Sequence, residues 1–196
     1  MFEWMIRQHI PEEEVWKMIA QLVYALAYCH EYSEPVPSPN GGTQVKKLTI
    51  MHRDIKPGNV FLADKTSGTV KLGDFGLAKV LNPTFQDFTQ TVLGSPSYMA
   101  PEIWQNKAYN EKCDVWSLGC LIHELCLSAP PFVGTSLQDL GSKVVHCKRE
   151  TIPTTLYSAD IERVVSAMLT VDVCSCLTLM LFSPLFLIDL FVCFFF

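Results

Sequence analysis

The chain has 196 residues, 49% hydrophobic and 18% charged, which suits one globular domain with its own core and excludes a disordered tract. A net charge of −5 argues against a nucleic-acid partner held by general electrostatics. Eight cysteines are scattered without a C-x-x-C pair, with only Cys174 and Cys176 close together, so reduced thiols of a cytosolic protein are expected rather than a zinc site.

No apolar signal-peptide core precedes Arg7 and Glu12, Glu13 and Glu14, and no secretion is expected. Pro11 and the three glutamates read as the first turn of a helix, because proline fits that turn and the carboxylates face the positive end of the helix dipole. Val15, Ile19, Leu22, Leu26 and Cys29 follow at spacings of three and four, so the helix runs to about His30 with one apolar stripe on a core. Residues 33–44 carry Pro35, Pro37, Pro39, Asn40, Gly41 and Gly42, which predicts a surface loop; residues 33–47 are taken as a loop insertion. Short strands are expected at 48–51, 60–62 and 69–72. Over 77–94 the periodicity fades and a long loop is expected, of a length that usually carries function. Residues 114–127 are apolar nearly all round, the mark of a helix buried in mid-domain. Weaker helices are expected at 136–147 and 158–169, and no internal repeat is present.

Between two of the short strands lies His52-Arg53-Asp54-Ile55-Lys56-Pro57-Gly58-Asn59, followed by Asp74-Phe75-Gly76, Gly94-Ser95-Pro96 and Ala100-Pro101-Glu102. Each triplet alone is a weak signal. Four of them in this order and at these spacings resemble the catalytic loop, metal-binding triplet and activation-segment end of a protein kinase. The resemblance implies an α+β protein-kinase-like fold, mainly the helical lower lobe with short β-hairpins at the catalytic loop, over residues 1–172. It also implies ATP and Mg2+ as cofactors and a protein substrate with a serine or threonine acceptor.

Phosphoryl transfer asks a protein for positioning and charge neutralisation. By resemblance, Asp54 accepts the proton of the substrate hydroxyl and Lys56 steadies the transferring group. Asn59 and Asp74 are the expected metal and nucleotide ligands, since neutral and charged oxygens suit a hard cation that keeps several waters. Lys56-Pro57 resembles serine/threonine rather than tyrosine kinases, and Ser95 stands where the former carry a hydroxyl that bonds the catalytic loop. Arg53 is the expected receiver of a phosphate on the activation loop. Thr84, Thr89 and Thr91 are the candidates, with Thr91 preferred. Asp114 is expected to cap the buried helix and to accept from the catalytic-loop backbone, and Trp116 to be core.

Finer stretches, among them Val70-Lys71-Leu72-Gly73-Asp74-Phe75-Gly76-Leu77-Ala78-Lys79, Tyr98-Met99-Ala100-Pro101-Glu102 and Tyr109-Asn110-Glu111-Lys112-Cys113-Asp114-Val115-Trp116, are similar to the NIMA-related kinases. That family implies cell-cycle control and a cytoplasmic, nuclear or microtubule- and centrosome-associated location. The sequence departs from the kinase pattern in places. Nothing before Pro11 resembles a glycine-rich phosphate loop or a Val-Ala-x-Lys strand, so the nucleotide-clamping upper lobe is expected to be missing and the chain to be inactive alone. Gly58 replaces a common glutamate, with no consequence drawn. No Lys or Arg follows Arg163, which leaves Glu102 without the arginine that kinases pair with it. Residues 173–196 have 19 apolar residues of 24. They stand open as a non-native tail, a membrane anchor or a segment packed on the lobe, and any membrane contact is expected only through them. Beside the kinase stand two other readings: a non-catalytic substrate-docking or scaffold module, and a tail-anchored regulator.

Overall fold

The computed structural model describes residues 9–63, 68–81 and 95–171. Its main helices are α1 (Glu12–His30), α2 (Pro101–Trp104), α3 (Lys112–Leu127), α4 (Leu137–Val145) and α5 (Ala159–Met168). Six short strands pair antiparallel in three ribbons: β1 (Ser33–Pro37) with β2 (Thr43–Lys47), β3 (Thr49–Met51) with β6 (Lys79–Leu81), and β4 (Val60–Leu62) with β5 (Val70–Leu72). No helix among the described residues is long and apolar enough to cross a membrane. Residues 173–196 lie outside the described set.

The core is built on α3. Its residues from Cys113 to His123 are all buried, which explains why its sequence shows apolar character nearly all round. Trp116 stacks on Phe132, ring centroids 5.6 Å apart, and is core as expected. Gly119 lets α5 come close: a Cβ there would stand 2.8 Å from the Cβ of Met168. The helix ends on Ser128, whose left-handed backbone (φ 57°) turns the chain while its N–H bonds the Glu124 carbonyl at 2.8 Å.

Helix α1 lies against the other side of this core through Val15, Met18, Ile19, Leu22 and Leu26. Pro11 occupies the cap position, just ahead of the first turn predicted for it. The glutamates divide their work. Glu13 and Glu14 pair with Lys17 at 2.7 and 2.9 Å on the exposed face. Glu12 instead accepts from the Ser158 backbone (2.8 Å) and hydroxyl, tying α1 to the start of α5. Further along, Gln21 accepts from the Val70 N–H at 2.9 Å and donates to the Gly68 carbonyl at 3.2 Å, so α1 also grips the β4–β5 ribbon.

Two expectations need correction. Residues 33–47 are not a loop but a β-hairpin, in register from Ser33 opposite Lys47 to Pro37 opposite Thr43. The flanking bonds Leu48 N–H to Tyr32 (2.8 Å) and Ser38 N–H to Gly42 (3.1 Å) show which pairs face inward. They make Glu34–Lys46 and Val36–Gln44 the hydrogen-bonded pairs and turn Pro35 and Pro37 outward. A proline costs a ladder no bond where its N–H would have met solvent. Likewise, the loop expected over 77–94 begins with strand β6, which pairs Lys79 with Met51 and so fastens the segment after Asp74 to the strand before His52.

Candidate active site

The catalytic-loop stretch leaves β3 at Met51 and is held from below by Asp114. That carboxylate is fully buried and accepts from the backbone N–H of His52 and of Arg53, both at 2.8 Å, and from the His30 ring nitrogen at 2.9 Å. Asp114 does not cap α3; Glu111 holds the cap position, and Asp114 in the first turn spends both oxygens on the loop instead. The partnership with His30 was not foreseen, because no spacing in the sequence links the end of α1 to the start of α3.

Arg53 adopts a left-handed backbone (φ 67°), which an arginine rarely does without restraint. The restraint is double: its N–H is fixed by Asp114, and its Nε donates to the Leu77 carbonyl at 2.5 Å. The terminal guanidinium nitrogens have no partner among the described residues. Thr84, Thr89 and Thr91 lie outside the described set.

Asp54 is 8% exposed and makes three side-chain bonds. One oxygen accepts from Lys56 Nζ at 2.6 Å and Asn59 Nδ2 at 2.9 Å, and the other accepts from Ser95 Oγ at 3.1 Å. Lys56 Nζ also donates to Ser95 Oγ at 3.1 Å, closing a ring of three side chains, Asp54, Lys56 and Ser95, from which Asn59 branches at Asp54. Burial pushes the Asp54 carboxyl up, but the Lys56 and Asn59 bonds, the lysine charge and the Ser95 hydroxyl outweigh it. The carboxyl therefore sits below its ordinary value and is ionised at neutral pH. A carboxylate offers about four acceptor positions, so about one is left for an incoming hydroxyl.

Asn59 is 4% exposed and its amide nitrogen is spent on Asp54. That fixes its orientation and leaves its side-chain oxygen without a hydrogen bond among the described residues. Asp74 is exposed and held by its neighbour: Gly73 donates to the Asn59 carbonyl at 2.9 Å and accepts from His52 Nε2 at 3.0 Å. His52 is fully buried and its ring lies 4.6 Å from that of Phe75, so the sequence reading overlooked a residue that ties the two motifs together. Asp74 itself is left-handed (φ 61°), with one oxygen accepting from the Gly76 N–H at 3.3 Å and the other open.

The donors present are therefore one free amide oxygen and one open carboxylate. No group of three or more His, Cys, Asp or Glu side chains gathers as a metal site among the described residues. Two oxygen donors fit Mg2+, which keeps most of its shell as water and substrate phosphate. Next to the ring, Arg53, Ser95, Tyr98, Met99, Cys113 and Ser117 line a pocket that opens beside Asp54.

These features meet what the comparisons find. The model for the protein kinase domain matches residues 1–182. The chain belongs to the protein kinase family. Its kinase domain is 44% identical to the serine/threonine-protein kinase Nek2 of Homo sapiens over 163 residues, 83% of this chain and 33% of that protein. It is 40% identical to the probable serine/threonine-protein kinase nek2 of Dictyostelium discoideum, over 85% of this chain and 35% of that one. It is 37% identical to the G2-specific protein kinase nimA of Emericella nidulans, over 84% of this chain and 24% of that one. The NIMA-related likeness therefore stands, and the chain spans about a third or less of these relatives' lengths.

Glu102 of this kinase domain is 6% exposed, and among the described residues no cation reaches ion-pair distance. Burial pushes its carboxyl up, only partly offset by its backbone N–H and the more distant Lys107. A carboxyl raised in the folded state binds its proton more tightly there. Its stabilising share is complete below the unfolded value near 4.5 and is lost as pH rises through the raised folded value. Glu102→Gln is therefore expected to melt higher than the parent at neutral pH, the difference closing below about pH 4. Melting midpoints of the two chains across this range check it; a variant that melts lower than the parent at neutral pH would show that Glu102 is paired after all.

Proposed function

We propose that the whole protein transfers the γ-phosphate of ATP to serine and threonine hydroxyls of protein substrates, and that these residues form the lobe bearing the catalytic loop. The observation that carries this is the gathering of Lys56, Asn59 and Ser95 around the buried Asp54 carboxylate. In this reading an acceptor hydroxyl donates to the remaining lone pair of Asp54. The carboxylate orients the oxygen for attack and takes its proton as the new bond to phosphorus forms. A carboxyl held below its ordinary value is a weak base, so the proton moves late and orientation is the larger contribution. Lys56 is placed beside Asp54, where its charge offsets the charge developing on the phosphoryl oxygens. Asn59 and Asp74 would hold Mg2+, which when bound neutralises charge on the nucleotide phosphates.

Arg53 in this proposal receives an activating phosphate. Its Nε and backbone are committed, while its terminal nitrogens are available for a bidentate bond. Thr91 is our preferred carrier of that phosphate. Relatives named as G2-specific kinases support a cell-cycle setting.

The test of acceptor class supplies the whole protein with Mg-ATP and peptides that differ only in a central Ser, Thr or Tyr. Ser and Thr peptides are expected to be labelled at least about tenfold faster than the Tyr peptide, a transition-state difference of about 1.4 kcal/mol or more. Equal labelling of tyrosine, or no transfer while nucleotide binds, would overturn the proposal.

A further inference from the structure

The β1–β2 hairpin has two unlike edges. On β1, the residues whose backbone groups face outward are Ser33, Pro35 and Pro37, and two of those three carry no N–H. On β2, the outward residues are Thr43, Val45 and Lys47, each with both a donor and an acceptor. All five β2 residues are exposed, Val45 to 74%. No other element is paired to that edge among the described residues. One edge is thus blocked by proline and its opposite is open, which protects the hairpin from indiscriminate pairing on one side only.

The charge on the open strand is one-sided. Lys46 and Lys47 are adjacent, project to opposite faces of the ribbon, and make no ion pair among the described residues. Glu34 lies across from Lys46 in register without reaching ion-pair distance, and Ser33 lies across from Lys47. We propose that the free edge of β2 is a docking strand for an extended acidic segment of a partner protein. The segment adds antiparallel beside Thr43–Lys47. Its backbone bonds the outward groups of Thr43, Val45 and Lys47, an apolar residue covers Val45, and carboxylates meet Lys46 and Lys47. A second copy of this chain is the poorer occupant. Self-pairing would bring two more lysines to a strip that already holds two, between chains of net charge −5 each. A pair of five-residue strands also falls well short of the roughly 1,200 Å2 that stable interfaces bury. Docking here goes beyond phosphoryl transfer and is tested without it. The strand feeds through Leu48 into β3, which leads on to the catalytic loop.

Backbone amide exchange on the full chain reads the docking directly. The probe is the peptide acetyl-Glu-Glu-Val-Thr-Thr-amide. It is expected to slow exchange at Thr43, Val45 and Lys47 by about tenfold or more at saturation, with no comparable change at Gln44 and Lys46, whose amides already bond β1. The same peptide with an N-methyl group on its valine, or with lysines for its glutamates, is expected to give little protection. Val45→Pro removes one outward N–H without touching the inner ladder and is expected to abolish protection, as is Lys46→Glu combined with Lys47→Glu. If Val45→Pro disrupts the hairpin, the N-methylated peptide on the parent chain makes the same cut. The proposal is overturned by absent protection at saturating peptide, or by equal protection from the acidic and basic peptides. It is also overturned if protection of these amides rises with protein concentration alone while a dimer appears in sedimentation, which would give the edge to a second copy.

Discussion

Asp114→Ala is expected to destabilise the fold by about 3–5 kcal/mol, against the roughly 5–15 kcal/mol that holds a whole domain. The reason is the position of its carboxylate. It is fully buried, and the substitution strands two backbone N–H groups, those of His52 and Arg53, together with the His30 ring nitrogen. Each buried donor left unmade costs about 1–3 kcal/mol. Arg53 adds to this, because its left-handed backbone persists only while Asp114 and Leu77 restrain it. Asp114→Asn is expected to recover little of the loss, since its NH2 would point at one of the two N–H donors. Urea unfolding of parent and variants measures the effect. A shift below about 1 kcal/mol for the alanine variant would mean that the catalytic loop does not depend on Asp114.

The second large effect falls on rate. In the active whole protein, Asp54→Asn is expected to lower phosphoryl transfer by about 10²- to 10⁴-fold, the usual worth of a positioned base, with nucleotide affinity changed far less. An asparagine keeps the shape but offers one acceptor oxygen where Ser95 on one side and Lys56 and Asn59 on the other use two. It has no acceptor left for the substrate hydroxyl. The pH dependence has a definite sign. Burial raises the carboxyl, but its hydrogen bonds and the Lys56 charge lower it by more, so the parent keeps its rate well into the acid range and loses it as pH falls through that lowered value. Single-turnover transfer to a serine peptide, with nucleotide affinity measured alongside, checks both parts. Unchanged turnover in the Asn variant would remove Asp54 from the chemistry and leave it a support for Lys56.

The sequence by itself determined the long-range plan wherever one residue type in one local pattern decides. The stripe of Val15, Ile19, Leu22 and Leu26 has only one way to be buried, and α1 follows it to His30. The all-round apolar run from Val115 to Leu125 fits nowhere but the middle of a domain, where α3 lies. The order of the motifs likewise resembled a kinase, and Asp54, Lys56 and Asn59, neighbours in one short loop, do meet through hydrogen bonds. Local pattern failed where the answer depended on which way a backbone group faces. Prolines at 35 and 37 read as loop residues until the register shows both turned outward, where a missing N–H costs nothing. Lys79–Leu81 carries no strand signal strong enough to stand alone and forms only because Thr49–Met51 offers it an edge. The supports of the site were least legible of all. His30, His52 and Asp114 come from separate parts of the chain, and only the packing of α1 and α3 against the loop brings a buried carboxylate to two backbone donors and a ring nitrogen. Hydrogen bonds between residues far apart in sequence are set by tertiary packing, and packing leaves no period for a sequence to display.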